Sequence, residues 1–269
     1  MKNFIRVLTA EVIKQHRNTF YSRFIYFSLL IWPIITFINT YFMYKPFNLN
    51  LSAWNELNSP NSILLFLMTG YMGYICFWSL VESALKMGQE RINGTLETIF
   101  LSPANRLAII YGRSLGALLE SVWMFLIFIV VMIMVVPELP LKNLVYAPLA
   151  LLVLLVTATV WGGLMNVIFL FSRDANIVFT IFDEPMTLFS GVRIPPSVFP
   201  LWAKMLSVIF PLSHSLAIVR SLLIAGDRAS ITSPLIGMFF SVTVLILMTV
   251  WLLKKAEKNA RIKGSFTFY

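Results

Sequence analysis

The stretch QERINGTLETIFLSP, Gln89–Pro103, is a polar island between two long apolar runs. Its punctuation decides how the chain is laid out. Asn93-Gly94 is a strong turn or helix-break dipeptide. Thr95 is positioned to cap a new short helix, with Glu97 and Thr98 in its first turn, where anionic and polar groups suit the exposed amides. Ser102-Pro103 then reads as the N-cap and first position of the next helix. A helix, a break, a second short helix and an immediate return to apolar sequence are more than a simple loop needs. A chain that must present a rigid knob to a partner needs all of them. The plainer alternative is an interfacial helix whose charges are only solvated.

The surroundings of the island are those of a membrane protein. The 269 residues are 58% hydrophobic and 12% charged, with 23 Phe and a mean hydropathy of +0.81. A soluble domain has about a quarter of its residues charged. The net charge of +9 does not point to nucleic acid, because the basic residues cluster at the edges of apolar runs, where they set topology and meet anionic headgroups. Cys76 is the single cysteine and lies within an apolar run, so it reads as a small packing residue rather than a disulfide or metal partner. The first apolar run follows some twenty mixed residues and is too long for a signal-peptide core.

About 20 apolar residues cross a hydrocarbon core of about 30 Å. Six candidates meet or approach that rule. They are Phe24–Met43 with Pro33 as a kink, Ser62–Val81, Pro103–Val136, Leu144–Phe171, a short run Ala175–Ser190 containing Asp183, Glu184 and Pro185, and Leu235–Leu253. Lys2, Arg6, Lys14, Arg17 and Arg23 precede the first candidate; Lys86, Arg91, Arg106 and Arg113 surround the island; Arg173 follows the fourth run. Lys254, Lys255, Lys258, Arg261 and Lys263 follow the last. The alternate connections hold Lys45, Lys142, Arg193, Lys204 and Arg228. By the positive-inside rule both termini face the cytoplasm and the number of crossings is even. Six fits; four or eight would need a run merged or split. Trp54, Tyr146 and Trp202 suit the interfacial aromatic belt.

The segment Lys2–Phe20 is amphipathic, with Phe4, Ile5, Leu8, Val12 and Ile13 near one helical face and Lys14, His16 and Arg17 supplying charge. Such a helix lies in the membrane interface; a basic anchor that only sets topology is the alternative. Gly112 and Gly116 form Gly-x-x-x-Gly, and Gly162-Gly163 sit in the fourth run. Small residues of this kind let helices approach closely.

The block ERINGTLETIFLSPANRLAIIYGRSLGALL resembles the cytoplasmic segment of the ABC type-2 transporter permease family, in which Gly-Thr-Leu-Glu and then Ser/Thr-Pro link the second and third crossings. A second block, LFSGVRIPPSVFPLWAKMLSVIFPLSHSLAIVRSLLIAG, is similar to that family's Ser-Gly, paired-proline and Arg pattern before the last crossing. The resemblance implies one all-α transmembrane unit over residues 1–269. Its parts are an interfacial helix at 1–22, a coupling segment at 82–102 and an outer re-entrant gate region at 191–226. It implies a permease subunit of an exporter, without catalytic activity or a cofactor of its own. ATP and Mg would be held by a separate nucleotide-binding subunit in two copies, beside a second permease copy, identical or related, in the cell membrane of a bacterium or archaeon. The phosphate-cradling pattern Gly-x-x-x-x-Gly-Lys-Ser/Thr does not occur in the chain.

By the same resemblance Glu90, Arg91, Gly94, Thr95, Leu96 and Glu97 form the coupling helix and its docking surface. Glu90 and Glu97 are expected to meet polar or basic groups of the ATPase, with Leu96 and Ile99 as apolar anchors. In the second block Pro195, Pro196, Pro200 and Pro211 divide the chain into two helices too short to span. Irregular backbone at membrane depth needs protein cover or a wet cavity. The expectation is therefore an external plug, with Phe199, Trp202, Phe210 and Leu212 as its apolar body. Arg220 reads as a structural charge paired at the outer rim, and His214 as a hydrogen-bonded helix residue. Asp183 and Glu184 are ionisable groups inside a candidate crossing, which usually face a cavity or a partner. They would attract a cationic part of a substrate, pair with Arg173, Arg193 or Arg220, or sit at the interface because Pro185 breaks the run. Two other classes remain: an ion-coupled secondary transporter or channel using Asp183 and Glu184, and a membrane assembly that transports nothing.

Overall fold

The computed structural model describes residues 2–19, 23–44, 60–136, 139–171, 175–226 and 229–263. Among the described residues the chain is helical, without strands. Lys45, Trp54, Arg173 and Arg228 lie outside the described residues, as do the side chains of Arg91 and Glu97.

The axis of the bundle is α3 (Pro60–Ile92), 33 residues long, or about 50 Å at 1.5 Å per residue. It is buried on most faces, with Met72, Cys76, Phe77 and Leu80 without exposed surface. Around it pack α6 (Leu118–Val135), α7 (Ala147–Phe171) and α10 (Pro211–Arg220). Cys76 is a packing residue: its thiol reaches the Ser121 carbonyl at 3.5 Å, and the Ser121 hydroxyl donates to the Cys76 carbonyl at 3.2 Å. The outer positions are taken by α2 (Arg23–Tyr44), α8 (Ala175–Phe189) and α11 (Thr232–Lys263). Their exposed apolar residues, among them Ile35, Ile177, Phe239 and Leu247, are what lipid or another membrane helix would cover.

Among the described residues, four helical runs are long and apolar enough to cross a bilayer: Asn61–Lys86, Arg106–Val135, Leu141–Phe171 and Thr232–Asn259. A fifth results if α9 (Leu201–Ile209) and the following Pro211–Ala225 are counted together, although they are bent by 93°. The first expected crossing, Phe24–Met43, falls within the 22-residue α2, and the fifth is as short as expected, α8 having 15 residues with Pro185 inside.

The third expected crossing begins differently from the sequence reading. Asn105, not Ser102, is the N-cap: its side chain accepts from the Ala108 amide at 3.2 Å, and α5 (Arg106–Leu115) starts behind it. Ser102 is engaged in closing the preceding helix, donating its hydroxyl to the Ile99 carbonyl at 2.7 Å. The run also breaks at Gly116-Ala117 into α5 and α6.

The first helix, α1 (Lys2–Thr19), lies against α5. Gly112 and Gly116 make that approach possible. A methyl group on Gly112 would stand 3.0 Å from Glu11 Cβ, and one on Gly116 would collide with Gln15 Cβ. Leu8, Glu11 and Gln15 therefore face the bundle, while Ile5 and Ile13 point outward and stay exposed. Gly163 admits the Tyr111 ring in the same way: a methyl group there would stand 2.5 Å from the nearest ring carbon. Its absence lets α5 sit on α7.

Candidate functional site

The break at Asn93-Gly94 is built as the dipeptide suggests, with Gly94 at φ +70°, the left-handed region that a side chain disfavours. The chain turns there from α3 into α4 (Leu96–Leu101). Thr95 is the N-cap by position, but its hydroxyl does not cap α4. It bonds the Glu90 carboxylate instead, and the Thr95 amide donates to the Glu90 carbonyl at 2.9 Å. The short helix is thus tied back to the helix before it.

Glu90 is the centre of a larger ionic arrangement. Its Oε1 accepts from Lys14 Nζ of α1 and from Arg113 Nη2 of α5, each at 3.0 Å. Arg113 has no exposed surface, and its Nε lies 3.1 Å from Glu11 Oε1. Gln15 Nε2 also donates to Glu11 Oε1, at 3.0 Å. Two cations and two carboxylates join α1, α3 and α5, with α4 attached through Thr95. Burial alone would raise the Glu90 pKa. The hydrogen bonds from Thr95 and Lys14, with the charges of Arg113 and Lys14, outweigh it and hold the carboxyl below the ordinary glutamate value. A groove of about 610 Å³ opens beside this cluster, lined by Lys14, Gln15, Asn18, Lys86, Glu90, Asn93, Thr95, Thr98 and Ile99.

The apolar side of α4 corrects the expectation for Leu96. Only 2% exposed, it sits in a cluster with Ile110, Val167, Leu170, Leu253 and Ala256, and Ile99 packs partly against the same group. These two residues hold α4 to the bundle and leave Leu96 no surface for a partner. Leu101, which sequence reasoning passed over, is 84% exposed at the far end of α4. Glu11 was also missed; its signal was being the lone carboxylate in a basic helix. Close by, Arg106 Nε lies 3.6 Å from Glu257 Oε1 near the end of α11. The first and last described helices therefore both reach the end of the bundle that carries α4, tied there to α3 and α5.

The second group of residues lies away from this cluster and is not brought together. Asp183 Oδ2 accepts from the Tyr74 hydroxyl at 2.9 Å. Glu184 is exposed and lines a cleft of about 280 Å³ with Arg193. Arg220 pairs with neither. It donates to the carbonyls of Phe66 at 3.0 Å and Gly191 at 2.8 Å and to Thr69 Oγ1 at 3.3 Å, with its guanidinium over the Phe66 ring at 3.6 Å. Arg220 thus ties α10 to the turn after α8, through the Gly191 carbonyl, and to α3, through Phe66 and Thr69. His214 hydrogen-bonds the Val208 carbonyl at 3.2 Å.

The proline-divided region forms two short helices, α9 and α10, hinged at Phe210. Phe210 and Leu212 are buried, with the Phe210 ring 5.9 Å from that of Trp161. Phe199 and Trp202 stack edge-on against Phe189, at 6.3 and 5.8 Å between ring centres. Trp202 is otherwise exposed, so the apolar body expected of a plug is divided between core and surface.

Comparison with known proteins bears on the chain as a whole. The model of the ABC-2 type transporter family matches residues 4–224. A curated protein of Cyanophora paradoxa, named "Putative transport permease ycf38", is 21% identical over 227 residues, covering 82% of this chain and 75% of its own. Such permeases normally work with an ATP-binding subunit. With a helical bundle of several apolar crossings and a family match over most of its length, this multi-pass membrane chain belongs to the ABC-2 type transporter family.

Proposed function

We propose that the chain is the transmembrane subunit of an ATP-driven exporter, with six crossings and both termini in the cytoplasm. It moves an amphipathic or lipid-linked substrate, such as a drug, an antimicrobial peptide or a glycan, outward through a bacterial or archaeal cell membrane. Two copies of a separate ATPase subunit bind ATP and Mg, and two permease copies, identical or related, frame the path. The observation that carries this reading is α4: a short helix locked to α1, α3 and α5 through Glu90 and Arg113, with Leu101 bare at its tip. A displacement arriving from outside passes through a stiff contact, whereas a loose loop would absorb it. Glu90 and Thr95 set the stiffness, Gly94 the turn, and Leu101 with the exposed Thr98 and Asn93 offers the docking face.

Purification of the chain together with a candidate ABC-type ATPase subunit from the same organism is the direct test. A stoichiometric complex that moves a fluorescent amphipathic dye across proteoliposomes only with ATP and Mg is the expected result. Flux driven by an ion gradient through the permease alone would overturn it. That outcome belongs to a second reading, an ion-coupled transporter, which the Asp183–Tyr74 hydrogen bond within the bundle favours. In the exporter the same carboxylate meets a cationic part of the substrate. Asp183→Asn with Glu184→Gln should then lower transport of a cationic dye while the complex still assembles.

A further inference from the structure

Leu96 of α4 does not rest on its sequence neighbours alone. It belongs to one buried cluster with Ile110 of α5, Val167 and Leu170 at the end of α7, and Leu253 and Ala256 towards the end of α11. Both helices continue unbroken from there, and both pack against α10 further along their length. On α7, the Thr157 hydroxyl is 2.8 Å from that of Ser215, and the Trp161 ring meets Phe210 at the hinge. On α11, Gly237 lies so close to His214 that a methyl group would stand 2.6 Å from its ring. From Leu253 to Gly237 is about 24 Å along the helix. The α7–α11 pair therefore runs between the cluster that seats the knob and the bent hairpin.

We propose that Leu96 is the input of a rigid α7–α11 strut whose output is the α9–α10 hairpin, with Leu253, Gly237 and His214 as positioning residues. This deepens the coupling reading above by naming the part that moves in response to α4. Close-packed interiors shift between discrete arrangements rather than deforming smoothly. A change in how Leu96 seats is then felt at the hinge as well as locally. Intermediacy in space is not itself coupling, so the linkage must be measured.

Hydrogen exchange of the permease chain alone, in lipid nanodiscs, measures it. Leu96→Ala and Leu253→Ala should each speed exchange of the amides at 211–220 by at least about threefold, through more frequent local opening. Leu96→Met, which conserves volume, should stay near wild type. Phe128→Ala, a comparable core loss on α6, should leave α10 unchanged. If Leu96→Ala does not fold, Leu253→Ala supplies the same readout. Acceleration confined to α4 and its immediate neighbours, or an equal effect of Phe128→Ala on α10, overturns the proposal. No ATPase is needed, so a chain that shows the linkage yet binds no ATPase refutes the exporter and not the strut.

Discussion

Arg113 is a guanidinium without exposed surface, and a cation so buried is tolerated only while its counter-charges stay in reach. Arg113→Met leaves Glu11 and Glu90 with Lys14 as their remaining cation, a loss of about 3 kcal/mol, the low end of the cost of breaking a buried pair. Thermal unfolding in detergent should show a large drop in Tm. Arg113→Lys, whose single ammonium cannot span both carboxylates, should fall between Met and wild type. Glu90 adds a pH dependence. Its folded pKa lies below the ordinary 4.5, so its contribution is complete above that value and fades as pH falls through the lower folded one. Tm measured from pH 7 downward should decline over that acidic window in the wild type. The decline should be smaller in Glu90→Gln, which starts less stable; equal slopes would remove Glu90 as the responsible group.

At the scale of elements, α1 is held by shape as much as by charge. Gly116→Ala would drive a methyl group into Gln15 and lift α1 from α5. A cysteine at position 15, 4% exposed in the native structure, should then become reactive towards a water-soluble maleimide while the remaining helices stay folded. Local chemistry foretold the elements that local chemistry controls. Asn93-Gly94 broke the helix, and Pro195, Pro196, Pro200 and Pro211 divided the hairpin. Other features depend on side chains far along the chain. A helix as short as α4 has too few turns for periodicity to tell an outward Leu96 from an inward one; Val167 and Leu253 decide it. Ser102 and Asn105 are both competent caps, and the bond of Ser102 to Ile99 leaves the task to Asn105. Glu11 finds its partner about a hundred residues downstream, beyond any local pattern.

For the whole molecule, the question is whether force enters through α4, and the structure separates stiffness from docking. Leu101 touches little of its own chain, so Leu101→Ser should change the stability of the isolated permease by no more than about 0.5 kcal/mol. An exposed apolar anchor that fills a pocket on a partner is a different matter, because truncating such a residue costs on the order of 2 kcal/mol of binding. Titration of the ATPase subunit onto Leu101→Ser should therefore show affinity weakened by more than tenfold. Replacing residues 94–97 by a Gly/Ser tether leaves Asn93, Thr98 and Leu101 in place but removes the link from Thr95 to Glu90 and the seat of Leu96. In that variant the ATPase should still bind and hydrolyse ATP at its basal rate while transport per ATP collapses. Full-rate efflux through the tethered chain would mean that the displacement enters by another route, with α1 and the groove beside Lys14 the nearest alternative surface.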